Sequence, residues 1–209
     1  MKLFDISPLI SEELAVWPGD VAFSRSEMCS IKDGDNIDLS SMNTTLHLGA
    51  HADAPSHYKK GEESIDELDL DAYIGPCQLI KLNKKDQRLI MPEEFEDKIS
   101  ESRVLFYTAS FPDPKHFNTD FRSFSPEAIE LLAKKKVKLI GIDTPSFDLF
   151  ESKDLASHKK LSEHGIRNLE GLVLEGLEEA VYELIALPLK IKGADASPVR
   201  AILRSYDEV

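Results

Sequence analysis

At 209 residues the chain suits one domain, residues 1–209, long enough for a substantial core, and its 42% hydrophobic and 30% charged content is an ordinary globular balance. A formal net charge of -13 argues against nucleic acid or an anionic membrane surface as a partner, because both attract basic patches. No apolar run approaches the ~20 residues of a membrane span, and Met1-Lys2-Leu3-Phe4-Asp5 lacks the long apolar core of a secretory signal, so a cytoplasmic location is expected.

In chain order, Lys2 to Ile6 reads as a short strand and Trp17-Pro18-Gly19-Asp20 as a turn that puts the only tryptophan on a loop. Ala22 to Ile31 reads as a strand ended by the turn-forming Asp33-Gly34-Asp35-Asn36, and Ile37 to Leu46 as its return. This hairpin is expected to deliver His47. Cys29 and Cys77 are too far apart for a C-x-x-C pair and read as inert thiols.

Three of the six histidines then fall within the pattern H-x-G-A-H-x-D-x-P-x-H, residues 47 to 57. Imidazole and carboxylate are the usual ligands of a catalytic zinc-type site without thiolates. Gly49 and Pro55 exclude one regular helix, so the run reads as a strand end turning into a rigid loop. Gly49 would let the backbone approach the site closely, and Pro55 would set the exit direction. A surface loop that happens to hold histidines is the competing reading. The interleaved Asp53 and the two backbone-setting residues favour a metal site.

Lys59 to Asp71 is acidic and irregular, with at most a helical turn or two. Cys77 to Leu82 and Arg103 to Ala109 read as strands, and Pro92 to Ile99 as a short helix with Pro at its start. Phe111 to Phe124 is a long connection in which His116 is a surface residue. Ser125-Pro126 opens a helix: Ser caps, Pro takes the first helical position, and Ile129, Leu131 and Leu132 are apolar. Lys134 to Lys136 close it, favourably for the helix dipole. Val137 to Ile142 is a buried strand; Asp143 at its end could touch the site, but a structural turn role carries more weight.

His158 and Glu170 are twelve residues apart, about 18 Å along one continuous helix, too far to share an ion. Gly165 interrupts the pattern like a helix C-terminal cap. A helix from Lys153 to His164 followed by an extended return at ~3.3 Å per residue could bring the two together. Chemistry alone leaves open whether they are ligands or an unrelated helix-surface His and Glu, and His164 reads as structural. Val181 to Ile191 and Val199 to Arg204 read as core strands, with Pro188 at an edge or bulge. The alternation of strands and helices marks a single-domain α/β or α+β fold with mixed sheets.

The histidine cluster closely resembles the signature of the cyclase-like metal-dependent hydrolase family, and within it the bacterial-type kynurenine formamidase branch. So do Val16-Trp17-Pro18-Gly19-Asp20, Asp69 to Pro76, Gly141 to Ser146, Tyr182 to Leu189 and Asp195 to Ala201, in the same order. The resemblance implies the swivelling β/β/α arrangement with a barrel-like sheet core, a homodimer, and two zinc ions, with manganese or another divalent ion as alternative. His47, His51, Asp53 and Glu170 would hold one ion and Asp53, His158 and Glu170 the other, with both carboxylates bridging. His57 would be the general acid/base, and Trp17 would pack on an aryl ring of the substrate. The implied reaction is hydrolysis of N-formyl-L-kynurenine to L-kynurenine and formate in tryptophan catabolism. A family hydrolase that opens a cyclic amide such as isatin, a non-catalytic metal-binding protein, and a structural protein are the alternatives. The formamidase-like segments argue against the first and the presence of His57 against the second.

Overall fold

The computed structural model describes residues 1–82 and 87–206. In chain order the strands are β1 (Leu3–Asp5), β2 (Ser24–Cys29), β3 (Leu39–Asn43), β4 (His51–Asp53), β5 (Ile74–Lys81), β6 (Leu89–Ile90), β7 (Arg103–Tyr107), β8 (Ser123–Phe124), β9 (Leu139–Ile142), β10 (Arg167–Leu169), β11 (Val181–Ile185), β12 (Ala196–Pro198) and β13 (Ile202–Ser205). Two helices, α1 (Pro126–Lys134) and α2 (Ala156–His164), lie between β8 and β10.

A curled seven-stranded sheet runs β1-β13-β11-β5-β7-β9-β10. Its first four strands pair antiparallel and the last three join β5 in parallel. The parallel half alternates side chains between two cores, as a two-residue period requires. Ile80, Val104, Phe106, Ile140 and Ile142 face one way, with Ile129 and Leu132 of α1 and Leu161 of α2. Leu79, Leu105 and Leu139 face the other, with Ala50, Ala52, Ala54 and Leu169. The mixed α/β architecture is the one the element order implied.

Both helices end as their sequences dictate. The Ser125 hydroxyl accepts the Ala128 N–H of α1 at 3.1 Å, a cap of the kind that stabilises a helix by about 1 kcal/mol. Gly165 closes α2 in the left-handed conformation, φ 64°. The chain then returns extended as β10, as the reach from His158 to Glu170 demands.

Several elements differ from their expected form. The β2–β3 hairpin stops at Asn43 and does not deliver His47. Thr45 instead folds onto the tryptophan turn, through its N–H to the Val21 carbonyl and its hydroxyl to Asp20. The expected helix from Pro92 is a single 3-10 turn, Pro92–Glu94, because Phe95 leaves helical space at φ -146° and enters the core, while Glu94 pairs with buried Arg122. The strand from Val181 ends at Ile185, so Pro188 lies outside it, and β12 was not expected as a strand. The histidine cluster is less of a loop than anticipated. His51–Asp53 is strand β4, and Pro55–His57 is a 3-10 turn.

Strand β4 is clamped on both sides. Antiparallel pairing sets Asp53 opposite Ala196 of β12, and His51 exchanges backbone hydrogen bonds with Glu170 at 3.2 and 3.0 Å. The next residue, Gly171, has φ 64°, and a Cβ there would lie 2.2 Å from the Gly49 carbonyl oxygen. Gly171→Ala combines a left-handed non-glycine with a backbone clash, and should lower stability in urea unfolding by at least about 2 kcal/mol. Gly165→Ala, with the same φ but open space around it, should cost less. Equal losses would show that the close approach of the two segments carries no weight.

Candidate active site

The parallel strands β7, β9 and β10 end on one side, and the residues just beyond them, Asp143 and Glu170 among them, line a cavity of about 730 Å³. A crevice beyond the carboxyl ends of parallel strands is where open α/β sheets place their ligands. His47, His51, Asp53, His57, His158 and Glu170 line it together with Trp17. The structure therefore brings every site residue singled out in the sequence into one cavity.

The alternation of β4 explains the cluster. Ala52 and Ala54 enter the core beneath, and His51 and Asp53 project from the other face. Asp53 Oδ1 is 3.0 Å from His47 Nδ1 and 3.4 Å from His51 Nε2, while Oδ2 is 3.5 Å from His158 Nε2. Glu170 divides its oxygens likewise: Oε2 is 3.2 Å from His51 Nε2 and Oε1 is 3.1 Å from His158 Nε2. Each carboxylate thus offers one oxygen to His158 and the other to the His47–His51 side.

Each of these imidazoles is held through its far nitrogen. His51 Nδ1–H donates to the Gly49 carbonyl at 2.8 Å, with Gly49 in the left-handed conformation at φ 56°. His158 Nδ1–H donates to Asp148 at 2.7 Å, and His47 Nε2 meets Asp195 Oδ2 at 3.0 Å. Such outer partners fix the tautomer and aim the other nitrogen, as around metal ions. Asp148 also accepts the Ser157 and His158 backbone N–H groups, which caps α2 where the left-handed Leu155 offers no side-chain cap. Asn168, fully buried and two residues before Glu170 on the same extended segment, donates to Asp53 Oδ2 at 2.8 Å.

Charge follows from this packing. Burial disfavours a charged His47, but Asp53 and Asp195 outweigh it and raise its pKa to about 9. Burial opposes charge on His158 too, and Asp148, Asp53 and Glu170 overcome it, so its pKa lies well above the ordinary value. Burial pushes Asp53 upward, yet His158 and His47 hold it well below the usual carboxylate range. Glu170 is raised by burial and by Asp53, but His158 and His51 bring it below its ordinary value. His57 is lowered, chiefly by burial, which favours a neutral imidazole.

The donor set fits a divalent cation. His51 Nε2 and Asp53 Oδ1 are buried and make no hydrogen bond, although they lie 3.4 Å apart. Two triads, His47–His51–Asp53 and Asp53–His158–Glu170, each keep their ligating atoms within 4.8 Å of one another. Neutral imidazole and carboxylate suit zinc and manganese alike.

Trp17 stands where its turn chemistry predicted. The Asp20 N–H donates to the Trp17 carbonyl at 2.9 Å across Pro18-Gly19, with Gly19 at φ 94°. The half-buried indole packs against Phe117 and Phe150 at centroid distances of 5.3 and 5.0 Å and forms part of an aromatic cavity wall. His116 is exposed and pairs with Asp113, and His164 pairs with Glu130, both away from the cavity as expected. Asp143 keeps its structural role, accepting the Thr108 and Ala109 N–H groups and the Thr108 hydroxyl, and its burial raises its pKa to about 6.

Sequence reasoning missed Asp148, Asn168, Gly171 and Asp195 as contributors. Asn168 was accessible through its i, i+2 relation to Glu170 on an extended segment. Asp195 opens a segment already singled out by resemblance. Asp148 had no signal, because it caps a helix that begins eight residues later.

An α/β protein with an imidazole–carboxylate cluster at the ends of its parallel strands has the form of a metal-dependent hydrolase. The chain belongs to the Cyclase family, whose model matches residues 4–149 and so includes the histidine cluster but ends before His158 and Glu170. It is 43% identical over 206 residues to the kynurenine formamidase of Polaromonas naphthalenivorans (98% of this chain, 91% of that one). It is 42% identical over 205 residues to that of Bordetella pertussis (97% and 98%). Among solved structures, a "predicted metal-dependent hydrolase" from Bacillus stearothermophilus has a TM-score of 0.83 at 28% identity, covering 97% of each chain. Isatin hydrolase A from Labrenzia aggregata, at 24% identity and a TM-score of 0.82 (97% of this chain, 93% of that one), shares the fold.

Proposed function

We propose that this protein hydrolyses N-formyl-L-kynurenine to L-kynurenine and formate, as a cytoplasmic step of tryptophan catabolism. The observation that carries the reading is one cavity with a His–Asp–Glu cluster on one part of its lining and an aromatic wall around Trp17 on another. Relatives called kynurenine formamidase, 42–43% identical over nearly the whole chain, support it.

His47, His51 and Asp53 would hold one divalent ion and Asp53, His158 and Glu170 a second, with Glu170 also reaching the first through Oε2. Zinc is the ion proposed. When bound, the ions would supply Lewis acidity toward the formyl oxygen and lower the pKa of the attacking water. His57 lies against His47, ring centroids 4.2 Å apart, with its ring 35% exposed on the cavity. It takes the proton of the water as the new C–O bond forms and returns it to the aryl nitrogen as the C–N bond breaks. The aryl amide ion is a poor leaving group, so protonation of that nitrogen is what lets it depart. Trp17 and Phe117 orient the aryl ring and keep bulk water from that side.

The purified, zinc-replete protein should turn over N-formyl-L-kynurenine and favour it over isatin. Chelation should abolish turnover and added Zn²⁺ should restore it. Asp53→Ala should bind fewer ions than the parent, because Asp53 belongs to both triads. Full activity after exhaustive chelation would contradict the metal assignment, and a preference for isatin would contradict the substrate.

Trp17→Ala should raise KM with metal content unchanged. Removing a buried aromatic contact is worth about 1–3 kcal/mol, or roughly 5- to 150-fold in affinity. Trp17→Phe should recover much of this loss. An unchanged KM in the alanine variant would remove the indole from substrate binding.

The proposal extends to a homodimer. Among the described residues the β2–β3 ribbon pairs only with itself, and the ribbon and its connecting turn expose Met28, Ile31, Ile37, Leu39 and Met42. Two-stranded ribbons are marginal alone, and closed two-fold dimers are the commonest assembly. Light scattering should give twice the 23.4 kDa chain mass, and paired Met28→Glu and Met42→Glu substitutions should shift it toward the monomer. A monomeric parent protein would contradict this.

A further inference from the structure

Asp195 has no part in the mechanism above, yet it touches two residues that do. Its Oδ2 lies 3.0 Å from His47 Nε2 and 3.4 Å from His57 Nδ1. Its backbone is fixed by the same framework that positions β4. The Ala54 N–H donates to the Asp195 carbonyl at 2.8 Å, and the Ile65 N–H to the Ala194 carbonyl at 2.9 Å. His57 hangs from the same point, because its own N–H donates to the Ala54 carbonyl at 2.9 Å. Asp195 and His57 are therefore two side chains tied through Ala54, the residue that follows the clamped strand β4.

We propose that Asp195 is a positioning residue for His57, holding the Nδ1–H tautomer so that Nε2 faces the cavity. A carboxylate only accepts, so an imidazole nitrogen beside it carries the hydrogen, and the other nitrogen keeps its lone pair. Among the described residues, Asp195 is the only side chain that meets a ring nitrogen of His57 within 4 Å as a charge partner. The aromatic contacts with His47 and Tyr58 restrain the ring but do not choose its tautomer. At 3.4 Å the pair is a charge contact and not a formed hydrogen bond; hydrogen bonds between catalytic groups are often long or poorly aligned in unliganded sites and close in the substrate complex. Because the same oxygen meets His47, the carboxylate also ties the proton shuttle to a ligand of the first ion. Proton transfer and metal binding are thereby kept in register across a half-exposed part of the cavity.

This inference rests on His57 being the acid/base, and the test separates the two. His57→Ala alone should lower kcat by roughly 10²–10⁴ with metal content retained. Asp195→Asn keeps an oxygen that can accept the His47 Nε2–H, so KM and metal content at saturating Zn²⁺ should stay near those of the parent while kcat falls by about 10–100-fold. In the His57→Ala background, Asp195→Asn should cost almost nothing further in kcat. In the metal-free parent at mildly alkaline pH, ¹⁵N-resolved NMR should show His57 protonated at Nδ1, and in Asp195→Ala the ring should move toward the Nε2–H form. If His57→Ala leaves kcat intact, the acid/base reading itself is wrong. If His57→Ala is damaging but Asp195→Asn costs the same factor in both backgrounds, Asp195 does not act through His57. If Asp195→Asn sheds metal and excess Zn²⁺ restores its rate fully, the loss of kcat comes through His47 alone and not through His57. An unchanged His57 tautomer in Asp195→Ala would overturn the inference without reference to activity.

Discussion

The site depends on one repeated constraint: an imidazole pinned by its far nitrogen. Asp195 pins His47, the Gly49 carbonyl pins His51, and Asp148 pins His158. With the outer nitrogen committed, the inner one can only face Asp53 and Glu170. The three anchors come from distant parts of the chain and different kinds of structure: the residue before a strand, a left-handed glycine and a helix cap. Loosening any of them would leave these imidazoles present but less firmly aimed. The surrounding fold therefore has to be rigid at all three places together.

Strand β4 supplies that rigidity. It is short, but it lies between β12 and the residue that follows β10, so both its edges are hydrogen bonded. Ala52 on its other face, and Ala54 just after it, let it sit close on the core. Glu170 arrives beside it because α2 and β10 form a compact reversal closed by Gly165. Gly171 then permits an approach to Gly49 that no side chain would allow. The charges are balanced internally: two buried carboxylates held low are set against His47 and His158 held high. Divalent cations in the same place would take over the role of those imidazole protons, which is how metal binding displaces protons from such ligands.

Much of this was legible in the sequence, for identifiable reasons. The spacing of His51 and Asp53 is a two-residue period, so any extended conformation puts both on one face. The break at Gly165 alone makes the meeting of His158 and Glu170 geometrically feasible. Ser125-Pro126 and Pro18-Gly19 act through local backbone preferences and behaved accordingly. The misreadings were tertiary. Pro92 begins a helical turn, but Phe95 is worth more in the core than in a continued helix. The hairpin could not be seen to end at Asn43, because what ends it is Thr45 bonding to Asp20 and Val21. Asp148 and Asp195 act on histidines 10 and 148 residues away, and no local pattern records such a pairing.

The central claim is that two triads sharing Asp53, with Glu170 reaching both, form a two-ion centre. Anomalous diffraction from zinc-loaded crystals tests it most directly. The account predicts two peaks, one against His47, His51 and Asp53 and the other against Asp53, His158 and Glu170, with none nearest Asp195. The site has a third cluster of comparable reach, His47–His57–Asp195. A principal peak at that cluster would contradict both the ion assignment and the use of His57 as the proton shuttle, and a single peak that leaves His158 unligated would contradict the two-ion centre.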